Sequence, residues 1–181
     1  MYEFLILAQL SRRPMHGYMI AKIIGNIMGP FRQAQWGALY PVLNRLMQEG
    51  LIRAEEDEVC EDGRSRKVYA ITDTGMARLH EHLLDTEHHL GEYDTVFAQK
   101  VVFFHLLSRE ERLYLVRHYV VYAQQHIAHL ERKCQELEAF PVPPEQKPGI
   151  LAVMRHRRRY WEQERAWAEE LIKDQRLQEV S

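Results

Sequence analysis

LIRAEEDEVCEDGRSRKVYAIT, residues Leu51 to Thr72, reads as two extended segments joined by a turn. LIRAEEDEV and KVYAIT carry β-branched and aromatic residues of the kind strands favour, and Gly63 supplies a turn residue between them. The junction is chemically unusual. Acids at Glu55, Glu56, Asp57, Glu58, Glu61 and Asp62 are followed at once by Arg64, Ser65, Arg66 and Lys67. A hairpin with such a guanidinium-rich tip is either a solvated turn without a role or a surface that meets something negative.

Upstream, residues 2–11 (YEFLILAQLS) are almost continuously apolar, which predicts a short helix buried on most sides and ended by Pro14. Ile20, Ile23, Ile24 and Ile27 fall at helical spacing in a second segment, after which Gly25, Gly29 and Pro30 break the chain. A third helix is expected from about Gln35 to Glu49, with Leu39, Leu43 and Leu46 on its buried side and Gly50 as its stop signal. Downstream of the hairpin, Thr72 or Thr74 can cap a fourth helix that buries Met76, Leu79 and Leu83. Three helices, a hairpin and a helix, in that order, make a winged helix-turn-helix.

In that fold the exposed side of the third helix enters the major groove. Here that side carries Gly37, Tyr40, Pro41, Asn44 and Gln48, with Gln35 at the start and Arg45 at the edge. Asn44 and Gln48 can present donor and acceptor together to adenine, and Arg45 can reach guanine or a phosphate. Tyr40 suits a phosphate oxygen, which positions without specifying. Pro41 removes one amide donor, so a bend or a later helix start is expected there. The tip fits a minor groove, whose negative potential attracts arginine, and Arg64 is the candidate for insertion. Arg66 and Lys67 are assigned to phosphates, and the acids to the outer side of the hairpin. Taken alone, a polar helix face is more often merely solvated; the basic tip at wing spacing tips the reading to DNA contact.

HGYMIAKII, WGALYPVLNRLMQEGLI and GRSRKVYAITDTG closely resemble the PadR family of transcriptional regulators across roughly the first eighty residues. The resemblance implies DNA contact through Tyr40, Arg64 and Arg66. It also implies an effector pocket between the DNA-binding and helical domains, often for phenolic acids.

Composition permits this reading without demanding it. The 181 residues are 46% hydrophobic and 28% charged, with a formal net charge of −2, so DNA binding has to come from local placement of charge. No run approaches the roughly 18 apolar residues of a membrane helix. The N-terminus, with an acid at Glu3 and no small-residue cleavage site, reads as a structural helix and not a signal peptide. Cys60 and Cys134 have no paired spacing, which points to a reducing cytoplasm.

In the second half, Ser108-Arg109-Glu110-Glu111 has the form of a capping box. From it a long helix carries an apolar seam at Leu113, Val116, Val120, Ala123, Ile127, Leu130, Cys134 and Leu137. Phe140-Pro141-Val142-Pro143-Pro144 ends that helix, and a last one is expected from about Gly149 to Arg176. Such helices pair with each other, with a second subunit, or both. A homodimer held through Leu113, Val116, Val120, Ile127, Leu130 and Leu137 suits a reader of two-fold operators.

Along the last helix Ile150, Met154, Trp161, Ala168 and Leu171 keep heptad spacing, but Arg157 interrupts the stripe, and a shifted register brings in Arg158 or Arg165 instead. Met154, Arg157, Arg158 and Trp161 are therefore candidates for holding an aromatic carboxylate. The competing arrangement is an arginine whose stem covers the seam while its head pairs with a glutamate of the facing helix. His118, Tyr122 and His126 form a second stripe off the seam, facing solvent or another helix.

Ten histidines raise the question of metal or catalysis, but His80/His82, His88/His89 and His126/His129 lack the partners or spacing of a metal set, and no nucleophile triad, phosphate loop or HExxH is present. No cofactor, metal or enzymatic activity is expected. The chain is thus read as mainly α, with a winged helix-turn-helix over 1–90 and a long-helix dimerisation and effector domain over 91–181. The expected function is a cytoplasmic, homodimeric regulator, a repressor released from operator DNA by a small aromatic acid. The rival is a winged-helix protein-interaction module, which would show no sequence-selective DNA binding.

Overall fold

The computed structural model describes residues 1–29, 36–55, 58–59, 65–88, 90–139 and 142–174, with the side chains left out at 36, 38, 58, 59, 65, 66, 138 and 139. The expectations for Pro30, Gln35, Cys60, Gly63, Arg64, His89, Phe140 and Pro141, for the acids Glu56, Asp57, Glu61 and Asp62, and for a helix end at Arg176 lie outside the described residues. The chain divides into two compact units, Met1–Asp85 and Thr86–Ser181.

The first unit is a winged helix-turn-helix. Helix α1 (Tyr2–Leu10) buries Phe4 through Leu10 without interruption, as its all-round apolar sequence requires. It ends at Leu10, where the Ser11 amide donates to the Leu7 carbonyl, so Pro14 is not its terminator. Pro14 instead precedes a short strand, β1 (Met15–His16), that no periodicity announces. Helix α2 (Gly17–Met28) runs straight through Gly25; the break comes at Gly29, whose φ of 89° is a left-handed conformation that glycine adopts without a Cβ penalty.

Helix α3 (Trp36–Gln48) is continuous through Pro41. The missing proline amide leaves the Gly37 carbonyl without its intrahelical donor, and Gly37 is exposed to water that can replace it. Leu39, Leu43 and Leu46 are fully buried, and Gly50, at φ 70°, closes the helix.

The expected hairpin is present in two ladders. Strand β5 (Val68–Ile71) lies between β1 and β2 (Ile52–Ala54), antiparallel to both, pairing Ile52 with Ile71 and Met15 with Tyr69. Beyond it β3 (Glu58–Val59) pairs with β4 (Ser65–Arg66), setting Glu58 across from Arg66 and Val59 across from Ser65. The unit closes with α4 (Asp73–Leu84), capped by Thr72, whose hydroxyl accepts the Gly75 amide at 3.1 Å and lies 2.7 Å from the Gly50 carbonyl. Leu79 and Leu83 are buried there, while Met76 is only partly so.

The second unit holds a helix the sequence reading lacked, α5 (Tyr93–Val102), between 3-10 turns at Leu90–Glu92 and Phe104–Leu106. Helices α6 (Arg109–Ala139) and α7 (Lys147–Lys173) pack on each other. The capping box forms as written: the Ser108 amide donates to Glu111 at 2.8 Å, and the Glu111 amide to Ser108 Oγ at 3.3 Å.

On α6 the seam residues Val116, Ala123, Ile127 and Leu137 are buried within the single chain, whereas Leu113, Val120, Leu130 and Cys134 remain half-buried. Arg112, Leu115 and Tyr119 are buried as well, so the covered stripe is wider than a two-residue heptad seam. The extra width is taken up by aromatic packing with α5 and α7. Phe97 stacks on Tyr119 at 4.0 Å with Trp167 edge-on to both rings, and the Tyr119 hydroxyl donates to Glu164.

Candidate functional site

The third helix presents the expected exposed residues together. Gly37, Tyr40, Pro41, Asn44, Arg45 and Gln48 are all solvent-accessible, opposite the three buried leucines. Gly37 has open space where a Cβ would stand, so its fold imposes no need for glycine. Tyr40 leans over the start of α2: a Cβ added at Gly17 would lie 3.7 Å from its ring and 3.6 Å from that of Tyr69. Burial, with the nearby Tyr40 phenol second, pushes the Tyr69 phenol above its ordinary value. Lys67 is exposed, its ammonium 5.8 Å from the Tyr69 ring centroid. Tyr40 and Lys67 thus approach Tyr69 from two elements, which brings the base of the wing and the third helix to one locality. Exposed Tyr18, stacked on His16 at 6.4 Å, adds an aromatic pair beside Gly17 that the sequence reading did not single out.

Arg45 is not a free cation. Its Nη2 lies 2.6 Å from Oε2 of Glu3 on α1, and its Nη1 lies 3.6 Å from Oε1 of Glu49. The other Glu3 oxygen is 2.8 Å from Nε2 of His82 on α4. Burial alone would raise the Glu3 carboxyl, but the hydrogen bonds from His82 and Arg45 together hold it below the usual range. Nothing in local spacing reveals this network, because its members are 42 and 79 positions apart.

Gln35 of the helix candidates and Arg64 of the wing candidates lie outside the described residues, and Ser65 and Arg66 are placed as backbone in β4. Arg53 at the wing's base is paired with Glu55 at 3.1 Å.

The second unit separates the four effector candidates into two depressions. Arg157 and Trp161 line a cavity of about 450 Å³ together with Asp94, Tyr122, His126 and Tyr160. Its walls are ordered by ring packing: His126 stacks on Trp161 at 4.0 Å, and Tyr122 and Tyr160 both meet Trp161 edge-on. The Tyr122 hydroxyl donates to the Leu90 carbonyl, and the Tyr160 hydroxyl to Asp94 at 2.6 Å. Burial, and then that bond to Asp94, push the Tyr160 phenol upward. Burial pulls the His126 imidazole below its ordinary value. Arg157 is exposed, and among the described residues it has no ion-pair partner.

Met154 and Arg158 instead line a shallower groove of about 350 Å³ with Leu130, Glu131 and Cys134. There Arg158 binds Glu162 at 2.8 Å and approaches Glu131 of α6 at 3.7 Å, which is the competing arrangement expected for one of the stripe's arginines. The His118–Tyr122–His126 stripe faces protein: His118 Nδ1 is 3.1 Å from the Tyr93 hydroxyl. Among the described residues, no three His, Cys, Asp or Glu side chains gather as a metal set, and no helix is long and apolar enough to cross a membrane.

Residues 6–81 match the model of the Transcriptional regulator PadR-like family. The chain is 26% identical over 141 residues to the Negative transcriptional regulator PadR of Bacillus subtilis, covering 78% of this chain and 77% of that protein. It is 49% identical over 45 residues to the transcriptional regulator Rv3488 of Mycobacterium tuberculosis, covering 25% of this chain and 40% of that one. Among solved structures, a PadR-like transcriptional regulator from Bacillus cereus is 32% identical, covering 44% of this chain and 74% of that chain at a TM-score of 0.37. Bacillus subtilis PadR in complex with operator DNA is 22% identical, covering 99% and 98% at a TM-score of 0.42. With the winged helix on the matched segment and the three motifs inside it, residues 6–81 carry the winged helix-turn-helix that the PadR-like family model describes.

Proposed function

We propose that this protein is a homodimeric, cytoplasmic repressor that binds operator DNA and is released by a small aromatic acid. The observation that carries the DNA-binding part is the accessible face of α3, which offers Asn44 and Gln48 for base edges and Tyr40 for a phosphate, beside Lys67 at the base of the wing. Gln35, Gly37 and Pro41 complete the helix surface, and Arg64, Ser65, Arg66 and Lys67 the wing; Arg45, at the edge of that face, is held by Glu3 and is not counted among the contacts. The sign of regulation follows the Bacillus subtilis relative, whose name is that of a negative regulator.

The effector part rests on the cavity around Arg157 and Trp161. Its aromatic walls suit a planar ring, and an arginine with no ion-pair partner among the described residues suits a carboxylate. Met154 and Arg158 lie in the neighbouring groove and have a supporting role at most. For the dimer, Leu113, Val120 and Leu130 are the seam residues with surface left to bury, since Val116, Ile127 and Leu137 are already covered within one chain. Acid binding favours a pose in which the two winged helices no longer match half-sites about 34–36 Å apart. Linkage then requires DNA to weaken acid binding by the same factor.

Titration of genomic fragments selected by the protein, with and without 4-hydroxycinnamate or benzoate, tests this directly. Loss of affinity on adding an acid supports the sensor. Equal affinity throughout removes the sensor and leaves DNA binding standing.

A further inference from the structure

We infer that Glu3 is a specificity-determining residue: it neutralises Arg45 on the third helix and so withholds one positive charge from the DNA backbone. The inference rests on the DNA-binding reading of α3 and goes beyond it, because Glu3 sits on a different helix and has no place on the DNA-facing surface.

The geometry is that of a shared carboxylate. One Glu3 oxygen is 2.6 Å from the Arg45 guanidinium and the other 2.8 Å from the His82 imidazole, so α1, α3 and α4 meet at one acid. The Glu3 side chain is only 18% accessible while that of Arg45 is 51% accessible. The acid is therefore anchored and the base lies at the surface. A long flexible arginine on an otherwise neutral face would be expected to sweep the phosphate backbone of any sequence. Glu49, 3.6 Å away on the same helix, adds a second acid to the same guanidinium.

The consequence concerns selectivity. Phosphate contacts raise affinity for every duplex alike, whereas base contacts by Asn44 and Gln48 distinguish sequences. A regulator of near-neutral net charge that spends Arg45 internally keeps its nonspecific affinity low and leaves recognition to the uncharged amides. Anchored by Glu3, Arg45 also ties α3 to α1, which fixes the orientation of the reading helix. His82 completes the anchor by occupying the second oxygen, so Glu3 cannot swing away without leaving a half-buried imidazole unpaired.

The test uses the full-length protein, a mixed-sequence duplex, and the tightest-binding genomic fragment selected by the wild type, with affinity followed from 50 to 200 mM salt. Glu3→Gln keeps an oxygen for His82 but removes the charge. It is expected to steepen the log–log salt dependence on the mixed duplex by about 0.9, the value of one added phosphate contact, and to tighten binding about eightfold at 0.1 M salt. The selected fragment gains less, so selectivity falls. Arg45→Gln, at an exposed position, is expected to leave the wild-type slope unchanged, and the double variant to return to it.

A Glu3→Gln slope equal to that of the wild type overturns the inference. So does an Arg45→Gln variant whose slope alone flattens by about 0.9, since Arg45 would then be reaching a phosphate despite Glu3. If the wild type binds neither duplex, the DNA-binding reading fails first and this inference with it. Selective wild-type binding with unaltered variant slopes sinks the inference alone.

Discussion

Gly75 stands against the carbonyl of Leu51: a Cβ at that position would lie 2.0 Å from the oxygen and 2.8 Å from the Ile71 side chain. The start of α4 is thereby seated on Leu51, just ahead of β2, and on the end of β5, with no room for any other residue. Gly75→Ala must move backbone, not merely a side chain, and is expected to destabilise the protein by about 3 kcal/mol or more. Urea unfolding followed by circular dichroism measures it. A variant with wild-type midpoint would mean that α4 docks on the wing elsewhere.

Thr72 serves the same junction through hydrogen bonds. Its hydroxyl accepts the Gly75 amide and lies within bonding distance of the Gly50 and Leu51 carbonyls, where α3 hands over to β2. Thr72→Val keeps the shape and removes the cap, and should cost about 1–2 kcal/mol in the same assay. Thr72→Ser should retain most of the stability.

Acid should loosen the second unit. Burial holds both His118 and His126 below the ordinary imidazole range, with the Lys100 charge adding to the effect at His118. A depressed folded pKa means the unfolded chain binds more protons, so this stability is full above about pH 6.5 and is lost as pH falls through the folded values. Melting temperatures at stepped pH should therefore fall below that point, and the fall should be shallower in a His118→Gln/His126→Gln double variant. An unchanged pH profile in the double variant would assign the loss to other groups.

The cavity makes a discriminating prediction about the arginines. Trp161 fluorescence should report an added hydroxycinnamate, and Arg157→Gln should weaken that binding at least about tenfold, the scale of a lost charge-assisted hydrogen bond. Arg158→Gln should bind almost as the wild type, because that guanidinium already serves Glu162 and Glu131. A loss in Arg158→Gln with Arg157→Gln binding as the wild type would place the acid in the other groove.

What the sequence made legible follows from how local each signal is. Leu39, Leu43 and Leu46, the Thr72 cap and the Ser108–Glu111 box all act within one or two turns, and all are present where expected. Strand β1 was missed because two residues have no period, and its pairing with Val68 and Tyr69 is a long-range event. Poor helix propensity makes Gly25 read as a break in the sequence, yet α2 runs through it, so the fold overrides that local preference. The cavity was half legible. Arg157 and Trp161 share a helix face, but Asp94 comes from α5, which the reading lacked, and Tyr122 and His126 from α6. The Glu3–Arg45–His82 network was invisible for the same reason, as no local pattern links three helices.

The most direct test is a salt-resolved binding comparison of the wild type, Asn44→Ala and Lys67→Gln on the selected duplex and on base-substituted versions of it. The exposed face of α3 should read bases, so Asn44→Ala should lose about 1–3 kcal/mol on the preferred duplex, with its discrimination at one base pair relaxed and its salt slope retained. Lys67→Gln should weaken every duplex alike and flatten the slope by about 1. Wild-type binding that ignores salt, or an Asn44→Ala protein that discriminates among the duplexes as the wild type does, would contradict the assignment of this face to DNA.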